Sequence, residues 1–227
     1  MGGAVVELSG SIAGNTYARN RYGQYVRART TPTNPNTARQ QTVRQAVADL
    51  TARWSQTVTA AQRTAWNLYG NSVTMKNRLG QDIKLTGFNQ YIRTNVPIVQ
   101  VGGTIVDAGP TIFELPEQDP AYATAVSEAT QLVSVTFDDT FTWVYEDEGK
   151  MMVYVGSPQN AQRNFFDGPW RLAGTIDGDS STPPTTPATI AVPFVCTEGQ
   201  RIFTYCRILR EDGRLSEKIR ADSFCAA

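Results

Sequence analysis

The sequence predicts an α+β chain in three parts: an N-terminal extended arm with a β-hairpin, a small three-helix region, and a C-terminal antiparallel β-sandwich of immunoglobulin or fibronectin type. Three observations predict it. Apolar residues recur at helical spacing only between about residues 38 and 100. Short alternating runs of β-branched and aromatic residues, with turn residues between them, fill the region after about residue 130. The charge also divides. Residues 1–100 carry twelve Lys and Arg against Glu7, Asp49 and Asp82, a net +9, and residues 101–227 carry nine against eighteen, a net −9, in a 227-residue chain whose sum is zero. The boundaries read from these patterns are 1–36 for the arm and hairpin, 37–100 for the helices, 101–120 for a linker and 121–227 for the sandwich. Such a division of charge suits halves that face different partners, or copies that meet basic half to acidic half.

Residues 1–14 hold Gly2, Gly3, Gly10 and Gly14 and read as an arm too flexible to fold alone, ordering on a neighbour. Asn15 to Arg29 reads as a hairpin turned at Gly23, with Arg27 and Arg29 on one face of its second strand. The prolines at 32 and 35 disfavour helical geometry before them, so a helix starts only at Ala38, with Asn36 or Thr37 as its cap. In it, Val43, Val47, Leu50 and Trp54 fall at spacings of four, three and four, one helical face, with Arg39, Arg44 and Arg53 off that stripe. Thr59-Ala-Ala-Gln62 is a capping box opening a second helix through Trp66 and Tyr69, with Gly70 as its expected stop. Thr86 caps a third, with Phe88, Tyr91, Ile92 and Asn95, which Pro97 ends or kinks. Residues 101–120 have linker composition. Beyond them, strands are expected at 131–137, 141–146, 151–156, 170–176, 188–194, 201–210 and 215–222, about the number a sandwich needs.

No segment of about 18 apolar residues is present, so no membrane partner is expected. The first residues show no basic n-region or cleavage site, and Val6 breaks the myristoylation pattern, which gives the expectation of a chain made in a cytoplasm. Histidine is absent, which removes Ser-His-Asp and Cys-His nucleophiles, imidazole zinc sites and the commonest general base near neutral pH. Cys196, Cys206 and Cys225 form no CxxC pair. They read as two buried small apolar residues and a thiol near the terminus, with an intersubunit disulfide through Cys225 as the sharper alternative.

Carboxylate clusters at Asp138-Asp139 and Glu146-Asp-Glu148 lack the ligand spacing of a calcium loop and read as solvated hairpin ends. Asp177-Gly-Asp179 and Glu211-Asp-Gly213 read as turns. No chosen pair of carboxylates comes with a cleft, and Val101-Gly-Gly103 lacks the Lys-Ser/Thr of a phosphate loop, so no catalytic residue, cofactor or metal is assigned. The candidate site is a protein interface of Tyr17, Arg19, Arg21, Tyr25, Arg27 and Arg29, residue types enriched as interface anchors. The same ribbon also suits phosphates and bases, a nucleic-acid partner that ranks second because one hairpin is a small basic footprint. A carbohydrate-binding or adhesion module would use Trp143, Tyr145, Tyr154 or Trp170, aromatics that more often fill a core.

The order of Ser9-Gly-Ser-Ile-Ala-Gly14, Tyr17 to Arg29, Pro32-Thr-Asn-Pro35, Gln40-Gln41 and Arg44, Trp54, Thr59 to Trp66, Asn77-Arg-Leu-Gly80 and Leu85-Thr-Gly-Phe88 resembles a group of poorly characterised proteins of tailed bacteriophages. The match covers roughly residues 8–100, with Gly168-Pro-Trp170 and Asp212 to Ser216 beyond. The resemblance implies a virion-associated structural protein with no enzymatic activity. An arm and hairpin that order on binding would staple neighbouring capsid subunits while a sandwich projects from the shell. The expectation is therefore a capsid decoration or cement protein, in a symmetric assembly with major capsid or other virion proteins. A neck or tail component is the alternative.

Overall fold

A computed structural model describes residues 8–31, 33–77 and 79–227. Of the expected arm, residues 1–7 lie outside the described residues. The chain is α+β, with three helices and a large seven-stranded sheet, and separates into two compact units, residues 1–40 and 41–227.

The first unit is a three-stranded antiparallel sheet: β1 (Gly10–Ile12), β2 (Asn15–Asn20) and β3 (Gly23–Ala28), in that order. The expected hairpin is β2 and β3, joined by Arg21 and Tyr22. Tyr22 N–H donates to Asn20 Oδ1 at 2.8 Å, and Gly23 takes φ 117°, a value that side-chain-bearing residues rarely adopt. The arm is not wholly extended, however. Residues 10–12 pair with β2 across a turn in which Ala13 takes φ 50°, and the Ser11 and Thr16 hydroxyls lie 3.0 Å apart. Glycine content alone hid this strand, because an open neighbouring edge satisfies its backbone groups. Thr37 then caps α1 (Ala38–Gln56): Gln40 N–H donates to Thr37 Oγ1 at 3.3 Å, and Thr37 N–H to Gln40 Oε1 at 3.2 Å.

In the second unit, α1 buries Ala46 and Leu50, whereas Val47 is 37% exposed. The inward stripe therefore runs Val43, Ala46, Leu50, one position round from the expected line, and Arg53 turns inward beside Trp54. The capping box at Thr59 opens α2 (Ala60–Ser72), with Thr59 N–H donating to Gln62 Oε1 at 2.9 Å. Gly70 does not stop that helix. It lies inside, where a Cβ would sit 2.6 Å from the Leu85 carbonyl oxygen. Gly87, at the start of α3 (Gly87–Gln100), is equally constrained, since a Cβ would meet Asn67 N at 2.4 Å. These two glycines let α2 and α3 touch along their backbones. Pro97 lies within α3, which continues to Gln100. Between α2 and α3, β4 (Met75–Lys76) and β5 (Asp82–Ile83) form a two-stranded ribbon.

Residues 101–120 contain no regular element but strap the helices together. Asn95, fully buried, exchanges two hydrogen bonds with Val106, at 3.1 and 2.8 Å. Asp107 accepts from Arg53 Nε at 2.8 Å and from Tyr91 OH at 3.1 Å, and its carbonyl accepts from Trp66 Nε1 at 3.0 Å. Trp66 and Tyr91 pack edge to face at 5.7 Å in a core completed by Leu50, Val58, Tyr69 and Val73.

The large sheet holds β6 (Ala123–Ser127), β7 (Leu132–Thr136), β8 (Lys150–Gly156), β9 (Trp170–Asp177), β10 (Ala188–Ala191), β11 (Arg201–Leu209) and β12 (Ile219–Ala226), ordered β10-β7-β6-β12-β11-β8-β9. It is mixed rather than purely antiparallel, because β6 and β12 run parallel. The sheet curls until its two edges meet: a Cβ on Gly174 of β9 would lie 2.9 Å from Ile190 of β10. Val133, Val135, Val153, Val155, Ile202, Cys206 and Ile208 fill the one core inside, with Phe137 5.4 Å from Trp143. The expected alternation in β7 holds, with Val133 and Val135 inward.

Three strand expectations are corrected. Residues 142–145 form a 3₁₀ turn, because the adjacent Trp143 and Val144 both pack into this one core and a strand cannot send neighbours to one face. The last strand starts at Ile219 rather than Leu215, since the Leu215 and Ser216 carbonyls are taken by Arg93 at 2.7 Å each. And β6 was missed, its Ala-Thr-Ala-Val-Ser lacking the bulk that marks a strand.

Candidate interaction surface

The six residues singled out from the sequence all lie on the three-stranded sheet, and its register divides them. Cross-strand partners share a face. Tyr17 lies opposite Val26 and Gly10, with Arg19 opposite Gln24 and Asn15 opposite Ile12, so one face carries Ile12, Tyr17, Arg19 and Val26. Tyr25 lies opposite Ala18 and Arg27 opposite Thr16, on the other face. Arg21 sits in the turn, its guanidinium 5.9 Å from the Tyr22 ring. Arg29, just past β3, closes the sheet through its N–H to the Gly14 carbonyl at 2.7 Å. The six are thus two faces and a tip rather than one continuous patch.

No described residue between 8 and 40 is buried. Ile12 is 56% exposed, Tyr22 65% and Val26 57%, with Tyr25 also exposed. Residues 8–40 contain five arginines and no acidic residue. A sheet of this size with no second layer is marginal in water alone, and exposed apolar side chains rimmed by arginine mark an interaction surface. The signal legible in the sequence was the Arg and Tyr content. Ile12 and Val26, the apolar centre of one face, appear only once the register is known.

The remaining candidates are consumed by the fold. Glu146 is paired with Arg210, whose Nε donates to both carboxylate oxygens at 3.0 and 2.8 Å; burial works against its charge, and these bonds still hold its carboxyl below the usual range. Asp147 accepts from Ser180 N–H at 2.8 Å, Asp138 from Thr140 N–H at 2.9 Å, and Asp179 from Ser181 N–H at 2.7 Å. Among the described residues no group of three His, Cys, Asp or Glu is placed to hold a metal ion. Glu211-Asp-Gly213 is the expected turn, with Gly213 at φ 85°. A cleft of about 340 Å³ beside Glu114, Glu117 and Phe141 has its two arginines, Arg210 and Arg214, already paired with Glu146 and Asp212.

Of the aromatics weighed for a glycan platform, Trp143 is in the core, Tyr154 stacks on Tyr205 at 4.4 Å, and Trp170 packs edge-on to Phe166 and Tyr205 at 4.9 Å, leaving Tyr145 exposed. All three cysteines are buried and unpaired. Burial and the neighbouring Cys196 push the Cys225 thiol up to about 12, and burial pushes Cys206 higher still. No helix among the described residues is long and apolar enough to cross a membrane. No protein-family model matches the chain, and no curated protein matches it either.

Proposed function

We propose that the chain is a non-enzymatic structural protein of a tailed-bacteriophage virion, a decoration or cement protein whose N-terminal sheet docks on neighbouring capsid subunits. The observation that carries this reading is the sheet of residues 10–28, which exposes Ile12, Tyr22, Tyr25 and Val26 and has no buried residue. Binding supplies the missing layer, and the five arginines attract an acidic partner surface. The resemblance of residues 8–100 to phage virion proteins supports the same reading. So does the absence of histidine, together with carboxylates engaged as turn acceptors and ion pairs.

Residues 121–227 fit a sandwich of immunoglobulin or fibronectin type that projects from the shell: the sheet wraps on one core, and its first and last strands pair in parallel. Mass spectrometry and cryo-electron microscopy of particles from the encoding phage test the proposal. Many copies on the shell, with residues 8–30 against a neighbouring subunit, support it. Absence from the particle sinks it, and copies confined to the neck or tail move the chain to that site.

The run of five arginines without an acidic residue also favours, in second place, a nucleic-acid partner. Affinity for DNA falling by orders of magnitude between about 50 and 200 mM salt would support that reading.

A further inference from the structure

The connection from β10 to β11 returns through a turn at 197–200, where Gln200 N–H donates to the Thr197 carbonyl at 3.2 Å and Gly199 takes φ 77°. That turn brackets the end of β12. Gly199 N–H donates to the Cys225 carbonyl at 2.9 Å, and Cys225 N–H to the Gln200 carbonyl at 2.8 Å. At the start of the turn Cys196 is held by Gln131, whose side chain accepts from the Cys196 N–H at 3.0 Å and donates to its carbonyl at 2.8 Å. Both cysteines belong to the same core, Cys196 at 1% and Cys225 at 2% exposure.

Their sulfurs lie against one rung of the sheet. Cys196 Sγ is 3.9 Å from the Ser127 carbonyl oxygen and Cys225 Sγ 3.7 Å from that of Ala226. Ser127 and Ala226 are register partners in the parallel pair of β6 and β12, and paired strands lie about 4.8 Å apart. The thiols also meet: after burial, a hydrogen bond with Cys196 is what most raises the Cys225 thiol. Cys206 stands apart. It lies opposite Ile219, which precedes Cys225 on β12 by about 20 Å at about 3.3 Å per residue. A disulfide bridges Cα atoms less than about 7 Å apart.

We propose that Cys196 and Cys225 are a redox pair that closes to an intramolecular disulfide, with a small-molecule disulfide such as oxidised glutathione as the oxidant. One cysteine thiolate attacks a sulfur of glutathione disulfide, whose S–S bond breaks and releases one glutathione. The second cysteine then attacks the protein sulfur of the mixed disulfide, forming the Cys196–Cys225 bond and releasing the other glutathione. The two protein thiols lose two electrons and two protons, and glutathione disulfide gains them as two thiols. Because both thiols are buried, the exchange takes place while the core is open, as during folding. Once closed, the bridge ties the β10–β11 connection to the last strand, whose pairing with β6 spans only Cys225 and Ala226 opposite Val126 and Ser127. Reducing surroundings keep the pair open and oxidising ones close it.

The test refolds the full chain from urea in a buffer rich in oxidised glutathione, alkylates the remaining thiols under denaturing conditions and maps the unreduced digest by mass spectrometry. The expected product is a monomer with Cys196 and Cys225 in one linked pair of peptides and Cys206 alkylated. It melts about 5 °C or more above the same chain kept in dithiothreitol. Cys206→Ala is expected to form the same link. If the chain does not refold, chain expressed in an oxidising periplasm is mapped in the same way. Three unlinked cysteines, a link through Cys206, or a covalent dimer through Cys225 would overturn the proposal.

Discussion

The three-stranded sheet of residues 10–28 and the seven-stranded sheet of residues 123–226 differ in what lies against their faces. The larger one curls until β9 and β10 touch, so its inward side chains, from Val126 to Cys225, are shielded by its own strands. The smaller one places Ile12 and Val26 on one face and Tyr25 on the other, and covers none of them. The difference shows where each gets its stability. The large sheet carries its own hydrophobic core. The small one holds together by ladder hydrogen bonds and two-residue turns, a state that leaves it near the low end of local stability. The charge follows the same line, with five arginines and no acidic residue among residues 8–40. An element that is basic, partly apolar and uncovered is suited to completion by another molecule.

The largest effect that sharpens this contrast is functional. Removing residues 1–31 is expected to abolish incorporation into particles while leaving the melting temperature of the remainder within a degree or two, as read by particle pull-down and calorimetry. A large fall in melting temperature would instead make the sheet part of the main fold. In the large sheet, Trp143→Ala opens a cavity beside Phe137 and is expected to cost about 3–5 kcal/mol in urea denaturation. The counterpart on the small sheet, Val26→Ala, is expected to change stability by less than about 0.5 kcal/mol.

Between these extremes sits the strap. Asp107→Asn weakens its bonds to Arg53 and Tyr91 and is expected to cost about 1–3 kcal/mol. Its acid behaviour has a definite sign. The Arg53 hydrogen bond above all holds the Asp107 carboxyl below its ordinary value. Its stabilisation is thus fully present above an unfolded pKa of about 3.9 and is lost as pH falls through the lower folded value. Unfolding free energy measured from pH 5 down to pH 2 is expected to fall less steeply in Asp107→Asn than in the parent. Smallest of all, the three thiols are expected to react with a thiol reagent only on unfolding, since each is buried.

Local chemistry made much of this readable. The Thr59 and Thr86 caps, the hairpin of β2 and β3, and the alternation of β7 each depend on residues within a few positions, and they stand where the sequence places them. What could not be read depends on distant partners. Gly70 looks like a helix stop until Leu85 is known to press against it. Residues 101–120 look like a linker until Asn95 and Arg53 are seen to claim Val106 and Asp107. Trp143 and Val144 suit a strand by propensity, and only their packing into one and the same core calls for a 3₁₀ turn. The same holds for the candidate surface: Arg and Tyr announced it, but its division into two faces follows from a register that composition does not contain.

The central claim, that residues 10–28 form an interaction element without a core of their own, is tested most directly by hydrogen exchange of the full chain, free in solution and bound in particles. The account predicts that amides of β1, β2 and β3 exchange within seconds in the free chain, while those of β8 and β11 are held by the global stability, and that the small sheet becomes protected on assembly. Protection of β1 to β3 equal to that of β8 and β11 in the free chain would contradict it.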